Sequence, residues 1–225
     1  RGLLYKGHKI QWYSPGTETV LSSHEVSLGY KEVRDPSVYV RFKSEEDDVS
    51  FLAWTTTPWT LVSNVGIVVS ETIKYATVRC AGERLILAED RLSVLEEDYQ
   101  IEDIVLGREL IGRRYKPLYQ LDGIDYGENS CTIYGAEYVT VDDGTGLVHI
   151  APAFGSEDSE IGREQDLPLV NPINTSGKFV EGTPLVEGLW FKDAEKPIID
   201  DLKKRGLLSI NGFKFGIGPD QLFFR

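Results

Sequence analysis

Three consecutive hydroxyl side chains, Thr55, Thr56 and Thr57, stand at the end of an apolar run, Val49-Ser50-Phe51-Leu52-Ala53-Trp54, and are followed at once by Pro58. Proline cannot donate to a sheet ladder and disfavours helical backbone in the residue before it, so a strand here has to stop by Thr57. Thr followed by Pro is also a helix start, with Thr57 as the cap and Pro58 as the first helical residue. The arrangement predicts three hydroxyls at a strand end, beside the free N–H groups of a short helix. Such a place suits a polar, oxygen-rich ligand. The bland alternative stands beside it: threonine is a good strand residue, and three in a row need no function.

A second cluster comes later in the chain. His149 lies between Val148 and Ile150, soon after Gly144-Thr145-Gly146-Leu147. Strand alternation sets its ring opposite these apolar neighbours, where it could face a cavity mouth. The alternative is a core or surface histidine with an ordinary hydrogen-bond partner. Asp158 follows Ala151-Pro152-Ala153-Phe154-Gly155, in the first turn of a predicted helix. An acid there stabilises by roughly 0.3–1 kcal/mol through the helix dipole with no function required. Its functional reading is a carboxylate at the rim of the same cavity, ready to pair with a cation. His8 and His24 lie in polar surroundings and read as surface residues.

Several chemistries are poorly supported. No Gly-x-Ser-x-Gly, His-Glu-x-x-His, Cys-x-x-Cys, Gly-x-x-x-x-Gly-Lys or Gly-x-Gly-x-x-Gly pattern occurs. A Ser/His/Asp hydrolase is thus disfavoured, although Ser156, His149 and Asp158 are close in sequence. Soft ligands at metal spacing are too few, so neither a metal nor a cofactor is expected.

At 225 residues the chain can bury one good core, and a single domain over 1–225 is the expectation. Its composition, 41% hydrophobic and 27% charged, is that of a soluble globular protein. No apolar run approaches the roughly 18 residues of a membrane span. The opening Arg1-Gly2-Leu3-Leu4-Tyr5-Lys6 turns polar at once, unlike a signal peptide. The lack of any Met suggests a piece excised from a longer chain. Cys80 and Cys131, far apart, read as reduced thiols of a cytoplasmic protein. The formal charge of −12 argues against a stand-alone nucleic-acid binder, because Lys and Arg contacts to phosphate supply most non-specific affinity. A nucleic-acid partner must be gripped mainly elsewhere.

The positioning elements are short. Residues 37–43 alternate, with Val38, Val40 and Phe42 on one face and Tyr39, Arg41 and Lys43 on the other. The acidic loop 44–48 reads as solvated hairpin. Residues 65–69 predict a strand, 75–80 and 84–88 a tight hairpin, and 88–98 a short helix. Irregular strands punctuated by glycine are expected over 101–126. Alternation predicts strands over 132–134, 137–141 and 147–152, with a turn at 142–146. Helices are predicted over 156–166, capped by Ser156, and 193–205, capped by Asp193 and ended at Gly206.

Two stretches together carry a resemblance. Trp54-Thr55-Thr56-Thr57-Pro58-Trp59-Thr60-Leu61 with Asn64, and residues 144–158 from Gly144-Thr145-Gly146 through His149 to Asp158, resemble the editing domain of isoleucyl-tRNA synthetases. That domain, also called connective polypeptide 1, is inserted into a Rossmann-type catalytic domain. Valyl and leucyl relatives have Thr-Thr-Arg-Pro where this chain has Thr-Thr-Thr-Pro-Trp-Thr, and Lys or Met in place of His149. The resemblance covers roughly residues 2–208; residues 209–225 are not placed by it. The ATP-binding signatures of a whole synthetase are absent, so no ligase activity is expected in this fragment.

The resemblance implies an α+β, mostly β fold, a β-barrel core with peripheral short helices. The implied reaction is hydrolysis of valine wrongly attached to isoleucine tRNA, with valyl-adenylate as a candidate second substrate. Isoleucyl-tRNA synthetases are themselves the standard instance of the limit behind such a site: one methylene is worth about 1–3 kcal/mol, so a second, hydrolytic sieve is needed. It implies that Asp158 holds the α-ammonium and that His149 borders the side-chain pocket and excludes isoleucine. Thr55, Thr56 and Thr57 would hold the ester and ribose, with Thr57 or a backbone N–H positioning the attacking water or the oxyanion. Gly144 and Gly146 would line the substrate, and Asn64 would bond the terminal nucleotide or reacting group. Trp59 is either against the adenine or structural. Implied partners are the 3′ end of aminoacylated tRNA(Ile) and the catalytic body of a parent synthetase, with the fragment itself a monomer. Alternatives are a non-catalytic tRNA-end binding module, or editing of valyl or leucyl type.

Overall fold

The computed structural model describes residues 9–29 and 35–216; His8 and residues 217–225 of the unplaced tail lie outside the described residues. In chain order, β1 (Tyr13–Ser14) and β2 (Thr19–Val20) form a small ribbon, followed by α1 (Ser23–Leu28). Ser22 and Glu25 close α1 reciprocally as a capping box. β3 (Asp35–Lys43) and β4 (Ser50–Thr55) follow, then a 3-10 helix, Pro58–Ser63, and β5 (Gly66–Val69). β6 (Lys74–Cys80) and β7 (Glu83–Ala88) turn tightly through Ala81 and Gly82, with φ of 49° and 82°. A 3-10 helix, Glu89–Val94, leads to β8 (Tyr99–Leu106). β9 (Thr132–Gly135), β10 (Leu147–Ile150), α2 (Ser156–Glu164), α3 (Glu195–Lys204) and β11 (Leu208–Gly216) complete the order.

The strands make a six-stranded mixed sheet, β11-β3-β4-β7-β6-β8, and a three-stranded one, β10-β5-β9. β4 runs parallel to β7, and β5 parallel to β9; the other pairings are antiparallel. The fold is mostly β with few short helices. The barrel is not closed among the described residues, because β8 and β11 are opposite edges of the larger sheet and do not pair. The two sheets instead share one apolar core, in which Phe42, Phe51 and Leu87 of the larger meet Ile67, Ile133 and Leu147 of the smaller. No helix among the described residues is long and apolar enough to cross a membrane.

Several local expectations change once tertiary partners are present. Tyr39 and Arg41, expected on an open face of β3, are 8% and 6% exposed. The segment after α3 covers them: Arg41 donates to the Gly206 carbonyl and pairs with Glu83 at 2.6 Å. The acidic loop 44–48 is not merely solvated, since Arg113 pairs with Glu46 and Asp47, and Arg114 with Glu45. Residues 137–141 form no strand; turn and irregular backbone bring Tyr138, Val139 and Thr140 to the cavity described below. Helix starts also shift. Gly155 rather than Ser156 precedes α2, and Ala194 rather than Asp193 precedes α3, neither with a side-chain cap.

One glycine ties the fold to the site. Gly107 donates to the Ile73 carbonyl, and a Cβ there would fall 2.0 Å from the Ser70 carbonyl oxygen and 2.8 Å from the Tyr75 ring. The Tyr75 hydroxyl in turn accepts from Ser70 N–H and donates to the Gly146 carbonyl at 2.7 Å. Backbone oxygen cannot step aside as a flexible side chain can. Gly107→Ala is expected to cost about 3 kcal/mol as an overpacked site, read as a fall in the urea midpoint at unchanged slope; an unshifted midpoint would contradict this packing.

Candidate functional site

A cavity of about 1280 Å³ opens where the end of β4 approaches β10. Its walls include Thr55, Thr56, Thr57, Trp59 and Thr60 on one side and Gly144, Gly146 and His149 on another. Asp158 and Tyr138 lie on the same surface. The two sequence clusters therefore meet in space. Among the described residues Asp142, Asp143, Glu157 and Asp158 are its charged lining, with no Lys or Arg side chain among them.

The Thr-rich turn is built by hydrogen bonds among hydroxyls. β4 ends at Thr55, Pro58 begins the 3-10 helix as expected, but Thr57 makes no side-chain cap. Its hydroxyl instead lies 3.2 Å from both the Thr55 and the Thr60 hydroxyls, and its N–H donates to Thr55 Oγ1. Thr60 Oγ1 donates to the Thr57 carbonyl at 2.8 Å and stands 3.1 Å from His149 Nε2. Thr55 Oγ1 is 3.5 Å from the same nitrogen.

These contacts assign the imidazole. With the Thr60 proton given to the Thr57 carbonyl, Nε2–H must be the donor to Thr60. Among the described residues His149 Nδ1 is buried without a hydrogen-bond partner, and an orphaned lone pair costs less than an orphaned N–H. The ring is 7% exposed, and burial pulls its pKa down to about 4. His149 is thus a neutral, fixed wall at physiological pH.

Asp158 is half-buried near the start of α2. Its Oδ2 accepts from Ala151 N–H at 2.9 Å, and no cationic side chain among the described residues pairs with it. Burial raises its pKa, the Ala151 N–H opposes this, and Glu157 adds to the rise. A cation entering here would relieve that cost. Gly155 makes room for the carboxylate: a Cβ at that position would sit 2.8 Å from Asp158 Cγ. Tyr138 shares this environment, its phenol pKa pushed up by burial and then by Asp158 and Glu157.

The Gly-Thr-Gly loop is held from behind. Gly144 and Gly146 have φ of 66° and 76°, and Cβ atoms there would press on Trp54 at 3.1 Å and Ala88 at 2.6 Å. Ala88 N–H donates to the Thr145 carbonyl, and Arg91 donates to the carbonyls of Gly144, Val141 and Asp142.

Two expected ligand contacts lie differently. Asn64 is 4% exposed and does not reach the cavity: its Nδ2 donates to the Gly66 carbonyl and its Oδ1 accepts from Tyr115. Both arms hold the turn between the 3-10 helix and β5. Trp59, 9% exposed, is packed between Phe154 and Phe191 at ring distances of 4.8 and 4.9 Å, which leaves little face for an adenine. Sequence reading gave no role to Thr60, Tyr138, Gly155 or Arg91. Thr60 and Gly155 stood inside the quoted motifs; Tyr138 and Arg91 reach the site only through the fold. Among the described residues no group of His, Cys, Asp or Glu is arranged to hold a metal.

His149 titrates near 4 in the fold against 6.5 ordinarily, so the folded state binds fewer protons in that window. The stability it permits is whole above pH 6.5 and is lost as pH falls toward 4, by roughly 3 kcal/mol. His149→Gln keeps a donor for Thr60 without titrating. Its urea midpoint should fall less than that of the wild type over this window, whereas parallel curves would contradict a buried neutral ring.

No family model matches the chain. The isoleucine–tRNA ligase of Clostridium kluyveri is 44% identical over 208 residues, covering 92% of this chain and 20% of that protein. The Thermoplasma acidophilum isoleucine–tRNA ligase is 43% identical over the same span, with the same shares. The chain spans about a fifth of the length of the curated relatives it matches. Among solved structures, the P. knowlesi cytosolic leucyl-tRNA synthetase editing domain superposes with a TM-score of 0.60 at 12% identity, covering 83% of this chain and 98% of that one. At that identity the likeness speaks for the fold alone. The chain therefore belongs to the isoleucyl-tRNA synthetase family, as the segment that folds as its connective polypeptide 1 editing domain.

Proposed function

We propose that this domain hydrolyses the ester joining valine to the 3′ end of isoleucine tRNA. The observation that carries the reading is the half-buried Asp158 carboxylate, without a cationic partner, in one cavity with the Thr55, Thr56 and Thr57 hydroxyls. An aminoacyl ester brings an α-ammonium, and Asp158 is the group to receive it. Pairing restores the charged carboxylate that burial disfavours. The ester and ribose then lie along the hydroxyls, which can donate to a developing oxyanion or orient a water.

No side chain is suited to be a nucleophile or a strong base. His149 is too acidic when protonated and too enclosed to take a proton near neutrality. Direct attack by an oriented water remains, and an ester is activated enough for positioning to matter most. Size selection falls to the wall formed by His149 and Thr60. A close-packed wall accepts valine and meets the extra methylene of isoleucine with overlap.

The acidic lining favours the terminal aminoacyl nucleoside over valyl-adenylate, whose phosphate would find no cationic side chain among the described residues of this cavity. It also fits the charge of −12: only the end of the tRNA enters, and the basic grip lies in the rest of the synthetase.

The test is deacylation of Val-tRNA and Ile-tRNA in the intact synthetase. Wild type should cleave the valyl ester selectively, and Asp158→Ala should lower kcat/KM by about 100-fold or more through loss of a desolvated ion pair. His149→Ala should begin to cleave the isoleucyl ester. Absence of valine-selective hydrolysis in the wild type would overturn the reading, and an unchanged preference in His149→Ala would overturn the steric role of the ring.

A further inference from the structure

The segment 141–146 carries two exposed acids, Asp142 and Asp143, and lines the same cavity as Glu157 and Asp158. Like charges gathered around one cavity disfavour holding such a loop inward, an effect that salt screens at exposed groups. It is also irregular, with two glycines at positive φ and no ladder of its own before β10.

Arg91 is placed to oppose this. It lies in the 3-10 helix Glu89–Val94, directly after β7, and its side chain reaches some fifty residues ahead. Nε donates to the Gly144 carbonyl at 2.9 Å, and Nη1 to the Asp142 and Val141 carbonyls at 3.1 and 3.3 Å. Among the described residues its hydrogen-bond partners are all carbonyls of this one loop. A planar guanidinium can address three acceptors at once, and charge-assisted bonds are the strong ones. The other ties, Ala88 N–H to the Thr145 carbonyl and Tyr75 to the Gly146 carbonyl, hold only the later half.

We infer that Arg91 is a positioning residue for the editing site: it clamps the segment 141–146 against the β7 corner, and so sets the cavity width between that loop, the Thr-rich turn and Asp158. The inference rests on the editing reading above for its consequence in activity, though not for the clamp itself. Arg91 does not line the cavity and touches no reacting atom. Its influence is through the placement of Gly144, Gly146 and the start of β10.

The test uses Arg91→Ala and Arg91→Lys in the intact synthetase. Displacing a binding loop by an ångström can cost on the order of 10–100-fold, so Arg91→Ala should lose that much kcat/KM on Val-tRNA, chiefly through KM, and discriminate less well against Ile-tRNA. Low-millimolar guanidinium should restore much of the loss, because the free cation can occupy the vacated site. Arg91→Lys should recover only part, since an ammonium cannot span three carbonyls. A purely structural arginine would behave otherwise: activity would fall with the folded fraction, and guanidinium would not rescue it. Hydrogen exchange separates the two inferences. The peptide 141–148 should exchange faster in Arg91→Ala while β4 and α3 keep their protection. If the wild type fails to deacylate Val-tRNA but this local change appears, the clamp stands and the editing reading falls. If the wild type edits and Arg91→Ala edits equally, or the peptide's exchange is unchanged, the clamp is wrong.

Discussion

The site depends on one buried link between two sheets that share no ladder at this point. β4 belongs to the six-stranded sheet and β10 to the three-stranded one. Where they approach, His149 of β10 donates to Thr60, and Thr60 donates to the carbonyl of Thr57 just beyond β4. The link works because the ring is neutral. A protonated imidazole here would be enclosed without a counter-ion, and desolvation would expel its proton. The cost is one orphaned acceptor, Nδ1. In return three hydroxyls acquire fixed neighbours, and the cavity gains a wall whose position is set from both sides.

Around that link the charges divide by task. Among the described residues the charged groups of the cavity lining are carboxylates, and Arg91 faces the scaffold behind it. Under the proposed function, a ligand cationic at its reacting end and anionic further back would be drawn in by the first part and held off at the second. This division suits a domain that forms about a fifth of a longer protein and is strongly acidic on its own.

Much of this was legible in the sequence, for local reasons. Proline after three threonines fixed a strand end and a helix start, the apolar run before them marked β4, the turn at 81–83 marked β6 and β7, and alternation located β3. The meeting of His149 with the threonines was not readable from spacing; the resemblance implied it, and the sheet topology explains it. What sequence missed was non-local. Residues 137–141 alternate like a strand, yet among the described residues no strand pairs with them, and Tyr138, Val139 and Thr140 become cavity wall. Arg41 was placed with Tyr39 and Lys43 on the polar face of an alternating strand, and the segment that covers it lies far along the chain. Asn64 was implied as a ligand group by the resemblance, but Tyr115 and the Gly66 carbonyl use both its arms. Arg91 was invisible for a simpler reason. Its partners are backbone carbonyls, and a carbonyl leaves no mark in residue type.

The central claim is geometric: one cavity holds an ammonium at Asp158 and an ester at the Thr-rich turn together. The most direct measurement is a crystal structure with a non-hydrolysable valyl-adenosine analogue. The account predicts the α-ammonium within about 3.2 Å of an Asp158 carboxylate oxygen, the acyl linkage against Thr55, Thr56 and Thr57, and the isopropyl group toward His149 and Thr60. An analogue bound with its ammonium away from Asp158, or with its side chain pointing out of the cavity, would contradict it.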